Sequence, residues 1–247
     1  MKQHHRSIWI SDLHLGSRGC QAEKLLEFLK THTADNLYLV GDIIDLWALS
    51  RKIYFPQSHL KVLKKVLALS KSTRIIYVRG NHDETLDEFV PFNIGNIEVV
   101  MEAEHITADG RKLLICHGDK YDQVMQYARW LAVLGDIGYT ILLKSNAYVN
   151  WFRRKFGRGY WSLSAYAKRK VKKVVGFIGD FENAVAKDVA AQGYDGVVCG
   201  HIHHAEIKEI NGITYYNDGD WVESCTALVE DEYGNMSLLD FNNAIID

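Results

Sequence analysis

Short runs of apolar residues, each about as long as a β-strand, recur along the chain and give way to polar residues. The runs lie at positions 6–15, 37–40, 75–78, 113–116 and 196–199. Continuous apolar runs of this length are typical of strands that are buried inside a sheet. The pattern therefore predicts a set of buried strands, each followed by a polar loop.

Helical spacing separates several of these runs. Ser58 is predicted to cap a helix that carries Leu60, Leu63 and Leu67 on one face. Residues 181–192 have the same spacing and end before a glycine, which commonly terminates helices. This alternation of strands and helices predicts a layered α/β core.

The C-terminal part of the chain has a different pattern, in which short strands alternate with turns. The turns are indicated by Asn211-Gly212 and by Tyr233-Gly234-Asn235. We expect this part to form a meander that completes a second sheet.

Residues from about 123 to 180 interrupt the alternation and differ from the rest of the chain in charge. The stretch 137–179 contains ten Lys or Arg residues, nine aromatic residues and no Asp or Glu, although the whole chain has a formal net charge of −2. Such a stretch indicates either an anionic partner or a solvated helical face. The sequence predicts one domain spanning 1–247, with residues 123–180 inserted as a basic, aromatic, helical cap.

Composition limits the class of protein. The chain has 247 residues, of which 47% are apolar, enough for one substantial core. The four cysteines form no C-x-x-C pair, so reduced thiols are expected, with Cys116 and Cys199 pointing into the core. The N-terminus lacks an apolar signal segment, and no apolar run is long enough to span a bilayer. A cytoplasmic protein without a transmembrane segment is expected.

Each predicted strand end carries residues that commonly bind metals. The motifs are Asp12-x-His14, Gly41-Asp42-x-x-Asp45, Gly80-Asn81-His82-Asp83, His117-Gly118-Asp119 and Gly200-His201-x-His203. Because ligands of open α/β sheets bind at the carboxyl ends of the strands, we expect these loops to converge. Oxygen and imidazole donors without cysteine suit Mn²⁺, Mg²⁺, Fe or Zn²⁺.

The order of these motifs resembles that of the calcineurin-like metallophosphoesterases. The resemblance implies an α/β fold, a four-layer α/β/β/α sandwich, with two divalent metal ions at one edge. Mn²⁺ is the expected ion, with Mg²⁺, Fe and Zn²⁺ as alternatives. The resemblance further implies that the first ion is bound by Asp12, His14, Asp42 and His203. By the same resemblance, the second ion is bound by Asp42, Asn81, His117 and His201, so that Asp42 bridges the pair.

Two metal ions ~3.5–4 Å apart can activate a shared hydroxide and hold the phosphoryl oxygens, which agrees with this assignment. His82 is expected to face the phosphate as an acid or an electrostatic stabiliser. Asp45 is the second candidate catalytic residue, and Asp45 and Asp83 are expected to orient the ligands. His204 is expected to be structural.

A closer resemblance is to the UDP-2,3-diacylglucosamine hydrolases of bacterial lipid A synthesis. It rests on residues 10–15, residues 41–47, the His117-Gly118-Asp119 triplet and the helical insert that follows. The resemblance implies hydrolysis of the pyrophosphate bond of a UDP-linked diacyl sugar, which releases UMP and an acylated sugar phosphate. The residues expected to contact this substrate are Asn81, His82, Asp122, Lys170, Lys173 and His201.

One departure leaves alternatives open. Well-known members of that group carry Arg where this chain has His82, and the His form is commoner across the wider superfamily. A nuclease or general phosphodiesterase is therefore the second hypothesis, and a non-catalytic scaffold is the third. Under the first hypothesis nucleic acid is not a partner. Residues 153–155 (Arg-Arg-Lys) are then expected to contact anionic lipid, and the protein is expected to lie peripherally on the inner membrane.

Overall fold

The computed structural model describes residues 2–121 and 178–242. The chain divides into two compact units, Met1–Asp119 with Val185–Asp247 and the shorter Lys120–Ala184. The first unit contains two β-sheets. In the second, Tyr121 packs edge-on against Phe181, with ring centroids 6.1 Å apart. The predicted cap falls within the second unit, but its residues 123–177 lie outside the described residues.

The first sheet has seven strands in the order β12-β11-β1-β2-β3-β5-β4. They are β1 (Gln3–Ile10), β2 (His32–Val40), β3 (Arg74–Val78), β4 (Phe92–Ile94), β5 (Ile97–Val100), β11 (Thr226–Glu230) and β12 (Met236–Asp240). Strands β1, β2, β3 and β5 are parallel, as the continuous apolar runs of the first three predict. The remaining three pair antiparallel with their neighbours.

The second sheet has five strands in the order β6-β7-β8-β10-β9. They are β6 (Ala103–Ile106), β7 (Lys112–Ile115), β8 (Gly196–Cys199), β9 (Glu206–Ile210) and β10 (Ile213–Asn217). The prediction that the whole C-terminal part joins this sheet is wrong, because only β9 and β10 do so. All five residues of β11 are buried, because β11 lies between β12 and β1 in the larger sheet.

Within residues 2–121 and 178–242, four α-helices accompany the sheets: α1 (Ala22–Thr31), α2 (Leu46–Arg51), α3 (Gln57–Leu69) and α4 (178–191). Helix α3 begins before Ser58, since the carbonyl of Pro56 already accepts a hydrogen bond from the Leu60 N–H at 3.3 Å. Its buried face is made by His59, Val62 and Val66. Of the predicted leucine face, Leu63 packs against the core, whereas Leu60 and Leu67 are exposed. Helix α4 ends at residue 191, one residue before the predicted end.

Two apolar layers hold the sandwich together. One layer packs α1 and α3 on the first sheet, with Leu25, Phe28 and Val62 against Ile8 and Leu37. The other layer lies between the two sheets, and its members include Trp9, Tyr38, Ile76, Leu113, Val198 and Tyr216. Helix α4 buries Val185 and Val189 and leads into β8. The predicted α/β sandwich with two central sheets is confirmed. No helix among the described residues is long and apolar enough to cross a membrane.

Candidate metal centre

The loops that follow β1, β2, β3, β7 and β8 converge at one edge of the sandwich, as the sequence predicts. The Asp12 N–H donates to the carbonyl of Gly41 at 3.1 Å, and the His14 N–H donates to the carbonyl of Asp42 at 2.9 Å. In the second sheet, the Gly200 N–H donates to the carbonyl of His117 at 3.2 Å. Backbone hydrogen bonds thus fix neighbouring loops to each other before any side chain is considered.

Five residues of this edge have an unusual backbone conformation. They are Asp12, His14, Asp42, His201 and His203, with φ between 47° and 70°. This left-handed region is uncommon for residues other than glycine and costs about 1–3 kcal/mol per residue. Backbone strain of this kind concentrates at functional sites, and here it falls on five of the seven predicted metal ligands.

The first cluster of donors surrounds the Asp12 carboxylate. Oδ1 of Asp12 lies 3.0 Å from Nε2 of His203 and 3.7 Å from Nε2 of His14, which is itself 3.8 Å from Oδ2 of Asp42. Burial alone would raise the pKa of Asp12, but the imidazoles of His14 and His203 beside the carboxylate hold its pKa well below the usual value. The carboxylate is therefore ionised and offers a charged oxygen to a cation.

The second cluster lies on the other side of Asp42. Oδ1 of Asp42 is 3.4 Å from Nε2 of His117, and the rings of His117 and His201 are 5.0 Å apart. Nδ1 of His117 donates to the carbonyl of Val40 at 2.8 Å, which leaves Nε2 facing the site. Burial lowers the pKa of His117, but the nearby Asp42 charge outweighs it and raises the pKa well above normal. Because its two oxygens face different clusters, Asp42 has the position of a bridging ligand.

Several buried polar atoms at this edge lack hydrogen-bond partners among the described residues. They are Oδ1 of Asp12, Oδ1 of Asn81 and Nε2 of His117. An unsatisfied buried polar atom costs about 1–3 kcal/mol, so three in one place require an explanation. Carboxylate oxygen, amide oxygen and imidazole nitrogen are suitable donors for divalent cations. The residues present therefore fit the divalent metals that this donor set implies.

Glycine is required at two of the loops for steric reasons. A Cβ atom at Gly80 would overlap the carboxylate of Asp42, and one at Gly200 would overlap Ser11 and Asp12. Absence of a side chain allows the loops to approach this closely.

Asp45 connects the ligands to His82. Its Oδ1 accepts a hydrogen bond from Nδ1 of His82 at 2.9 Å, and its Oδ2 lies 3.4 Å from Nδ1 of His14. Burial tends to raise the pKa of Asp45, but the bond from His82 and the Ala48 N–H outweigh it and lower the pKa. The same carboxylate caps α2 through that bond from Ala48.

Asp83 supports the site from behind. Its carboxylate accepts hydrogen bonds from the N–H groups of Ile43 and Ile44 at 3.1 and 3.0 Å. Burial and the neighbouring charge of Asp42 raise its pKa to about 7. Asp83 therefore holds the backbone of the loop that presents Asp42.

Sequence reasoning missed three residues around the site. Oγ of Ser11 lies 2.6 Å from Oδ2 of Asp12 and 2.7 Å from Oδ1 of the buried Asp218. Trp47 places its ring 4.3 Å from that of His82. Asp218 directly follows β10, so the rule that polar residues follow buried strands would have identified it.

The remaining predicted residues are placed as follows. His204 is exposed and lies 3.9 Å from Glu206. Cys116 and Cys199 are buried and form no disulfide, as predicted, with sulfur atoms 3.7 Å apart. Asp122, Lys170, Lys173 and the stretch 153–155 lie outside the described residues.

Comparisons with known proteins agree with the chemistry of this edge. The family model of calcineurin-like phosphoesterases matches residues 5–205. A UDP-2,3-diacylglucosamine hydrolase of Neisseria meningitidis serogroup B is 26% identical over 224 residues, covering 87% of this chain and 89% of that protein. A hydrolase of the same name from Shewanella sp. strain ANA-3 is 26% identical over 241 residues, covering 91% and 93%. Among solved structures, the E. coli phosphoesterase Yfce has a TM-score of 0.43 at 14% identity and covers 96% of this chain and 99% of its own.

Proposed function

The chain belongs to the calcineurin-like phosphoesterase family and is a metal-dependent hydrolase, and we propose that it cleaves the pyrophosphate bond of a UDP-linked acylated sugar. The products are UMP and the acylated sugar 1-phosphate. The observation that carries this proposal is the similarity to hydrolases named for such a substrate. It covers 87% of this chain and 89% of the Neisseria protein, so it extends well beyond the metal-binding motifs.

In this proposal the chain holds two divalent ions, with Mn²⁺ as the expected metal. Asp12, His14, Asp42 and His203 hold one ion, and Asp42, Asn81, His117 and His201 hold the other. When bound, such ions supply positive charge to the phosphoryl oxygens and make a bound water more acidic. Support comes from the unpartnered atoms of Asp12, Asn81 and His117, which face this edge without a partner among the described residues.

His82 acts on the phosphate through the ring nitrogen that points away from Asp45. Since Nδ1 of His82 donates to Asp45, its Nε2 is the atom that is free to act, and it lies 3.9 Å from Oδ2 of Asp42. The leaving group is itself a phosphate, whose second pKa is near 6, so it departs with little help from a proton donor. We therefore assign His82 chiefly to electrostatic stabilisation of the phosphoryl oxygens.

The substrate's remaining contacts are proposed from sequence. Asn81, His82 and His201 contact the reacting phosphate, and Asp122, Lys170 and Lys173 contact the rest of the diphosphate sugar. The aromatic residues of the basic stretch 137–179 cover the acyl chains and the base. Residues 153–155 contact anionic lipid, so the protein acts at the cytoplasmic face of the inner membrane.

A nuclease or general phosphodiesterase is the second candidate. The specific observation in its favour is His82, which stands where the well-known lipid A hydrolases carry Arg. A basic and aromatic surface also suits a single-stranded nucleic acid, because bases stack on aromatic rings.

Hydrolysis of defined substrates distinguishes the two candidates. The purified chain is supplied with Mn²⁺ and incubated separately with UDP-2,3-diacylglucosamine and with single-stranded DNA, and UMP or nucleotide release is measured by chromatography. We expect UMP release from the first substrate and its loss in Asp42→Ala. Cleavage of DNA without UMP release would instead establish the second candidate.

A further inference from the structure

The outward face of α3 carries leucine and lysine in alternation. Leu60, Lys64, Leu67 and, just past the end of the helix, Lys71 are spaced three or four residues apart and are all exposed. Side chains at this spacing lie along one side of a helix. Leu67 leaves 47% of its surface exposed, although leucine is a residue that normally packs inside.

The chain around this helix is strongly basic. Between Asp45 and Asp83 it contains eight Lys or Arg residues and no Asp or Glu. Arg74 pairs with Glu98, and Arg79 pairs with Asp87 and Asp119. Among the described residues the other six have no carboxylate partner; they are Arg51, Lys52, Lys61, Lys64, Lys65 and Lys71.

An exposed apolar side chain stands at the start of the same region. Ile53, in the connection between α2 and α3, leaves 85% of its surface exposed. It directly follows Arg51 and Lys52, so an aliphatic side chain again stands beside cations. We call the exposed residues 51–53 and the outer stripe of α3 the leucine–lysine surface.

We propose that the leucine–lysine surface binds the face of an anionic lipid membrane. Cations interleaved with exposed aliphatic side chains suit a membrane of this kind. Lysine and arginine pair with the anionic headgroups, while leucine and isoleucine insert between the headgroups and the acyl chains. A nucleic acid would use the cations but leave the aliphatic side chains in water. A second copy of this chain that docked through the same face would present the same positive charge. The stretch 137–179 is also positive, with ten cations and no acid.

This surface rests on the proposed function, in which residues 153–155 contact anionic lipid, and it adds a second, defined contact with the same membrane. Helix α2 starts at the residue after Asp45 and, with six residues at 1.5 Å each, is only about 9 Å long. A membrane bound at Ile53 would therefore lie within roughly 20 Å of the metal edge, near enough for a substrate that resides in that membrane.

Flotation with lipid vesicles tests the proposal without any nucleotide sugar. A negative result would therefore contradict the membrane surface without contradicting the proposed substrate. Vesicles of phosphatidylcholine are compared with vesicles that also contain phosphatidylglycerol. The variants are Lys64→Gln/Lys71→Gln, Leu60→Ser/Leu67→Ser and Ile53→Ser. Lys112→Gln/Lys187→Gln is the control, since it removes two exposed cations from β7 and α4, outside the leucine–lysine surface. Circular dichroism melting verifies that every variant is folded.

We expect the native chain to bind the anionic vesicles and not the neutral ones. The double lysine variant should lose about tenfold or more in affinity, and the control should bind like the native chain. The double leucine variant and Ile53→Ser should also bind more weakly. The proposal is overturned if the native chain does not bind anionic vesicles, or if the control weakens binding as much as the lysine variant. A different pair of results would assign the surface to nucleic acid. In that case the double leucine variant binds anionic vesicles as tightly as the native chain does, and binding to single-stranded DNA is lost in the double lysine variant.

Discussion

Oδ1 of Asp45 accepts a hydrogen bond from Nδ1 of His82 at 2.9 Å, while Oδ2 of the same carboxylate lies 3.4 Å from Nδ1 of His14. One side chain therefore orients both a proposed metal ligand and the residue proposed to act on the phosphate. Because Nδ1 of each ring faces the Asp45 carboxylate, Nε2 of each ring is left to face the site. The arrangement makes Asp45 a positioning residue whose own contact with substrate is not required.

Replacement of Asp45 by Asn should lower kcat about 10–100-fold, since the outer partners of metal-site histidines contribute on that scale. KM should change less, and bound metal measured by mass spectrometry should remain near the native level. Asp45→Ser is the matched control, since serine still caps α2 but does not reach His82. If Asp45→Ser restores native kcat, the role of Asp45 is limited to the helix.

His82→Ala should reduce turnover by ~10²–10⁴-fold with nearly unchanged metal content, as expected when an electrostatic partner of the transition state is removed. Steady-state rates and metal analysis of the same preparation check this. If His82 stabilises charge rather than donating a proton, the loss should be similar for good and poor leaving groups. Loss of metal together with activity would make His82 a ligand and contradict the assignment.

The metal edge was predictable because its residues follow a local rule. Asp12, Asp42 and His117 each come within two residues of the end of a buried apolar run, and the ends of such strands meet. The left-handed backbone at Asp12 and Asp42 was not predictable, since it depends on hydrogen bonds between loops that are distant in sequence.

Other features depended on partners that no local pattern reveals. Strand β11 looks like part of a C-terminal meander, yet it pairs with β1 because that edge of the large sheet would otherwise be open. The leucines of α3 have helical spacing, but Val62 and Val66 fit the core and Leu60 and Leu67 do not. Spacing establishes the helix, whereas packing decides which face is buried.

The native chain should bind two divalent ions, and chelation should lower its thermal stability. Removal of metal leaves the buried donors of Asp12, Asn81 and His117 unsatisfied, and it leaves the carboxylates of Asp12 and Asp42 close together. Metal analysis should give two ions per chain for the native protein and fewer for Asp42→Asn, which alters both clusters. Two ions in Asp42→Asn, or at most one in the native chain, would contradict the bridging assignment.

Glu230 joins the two sheets and should make stability depend on acidic pH. It is buried and accepts hydrogen bonds from Arg6, His105 and the Ala108 N–H at 2.7–2.9 Å. Burial would raise its pKa, but these donors outweigh burial and lower the pKa below its ordinary value of 4.5. Its contribution is therefore complete above about pH 4.5 and is lost as pH falls through the lower folded-state pKa.

At pH 7, Glu230→Gln should lower the free energy of unfolding by about 3 kcal/mol, because it leaves the half-buried Arg6 without its charge partner and the buried His105 without a charged hydrogen-bond partner. The difference from the native chain should shrink as the pH falls below 4.5. Glu98→Gln is the control, since its pair with Arg74 is exposed and should contribute less than ~1 kcal/mol. Denaturant unfolding at several pH values measures both, and a pH-independent difference would contradict the role of the charge.

Charge reversal at Lys170 and Lys173 should raise KM for a lipid-linked diphosphate while sparing hydrolysis of a small chromogenic phosphodiester. The reason is the position of the acid-free stretch 137–179 between His117 and His201, both of which lie at the metal edge. Under the proposed function, the cations of this stretch contact the far phosphate of a long substrate. A small phosphodiester is too short to contact these cations. Equal losses on both substrates would indicate damage to the fold or a direct catalytic role. An unchanged KM for the diphosphate would instead make the stretch a solvated helical face that does not act in catalysis.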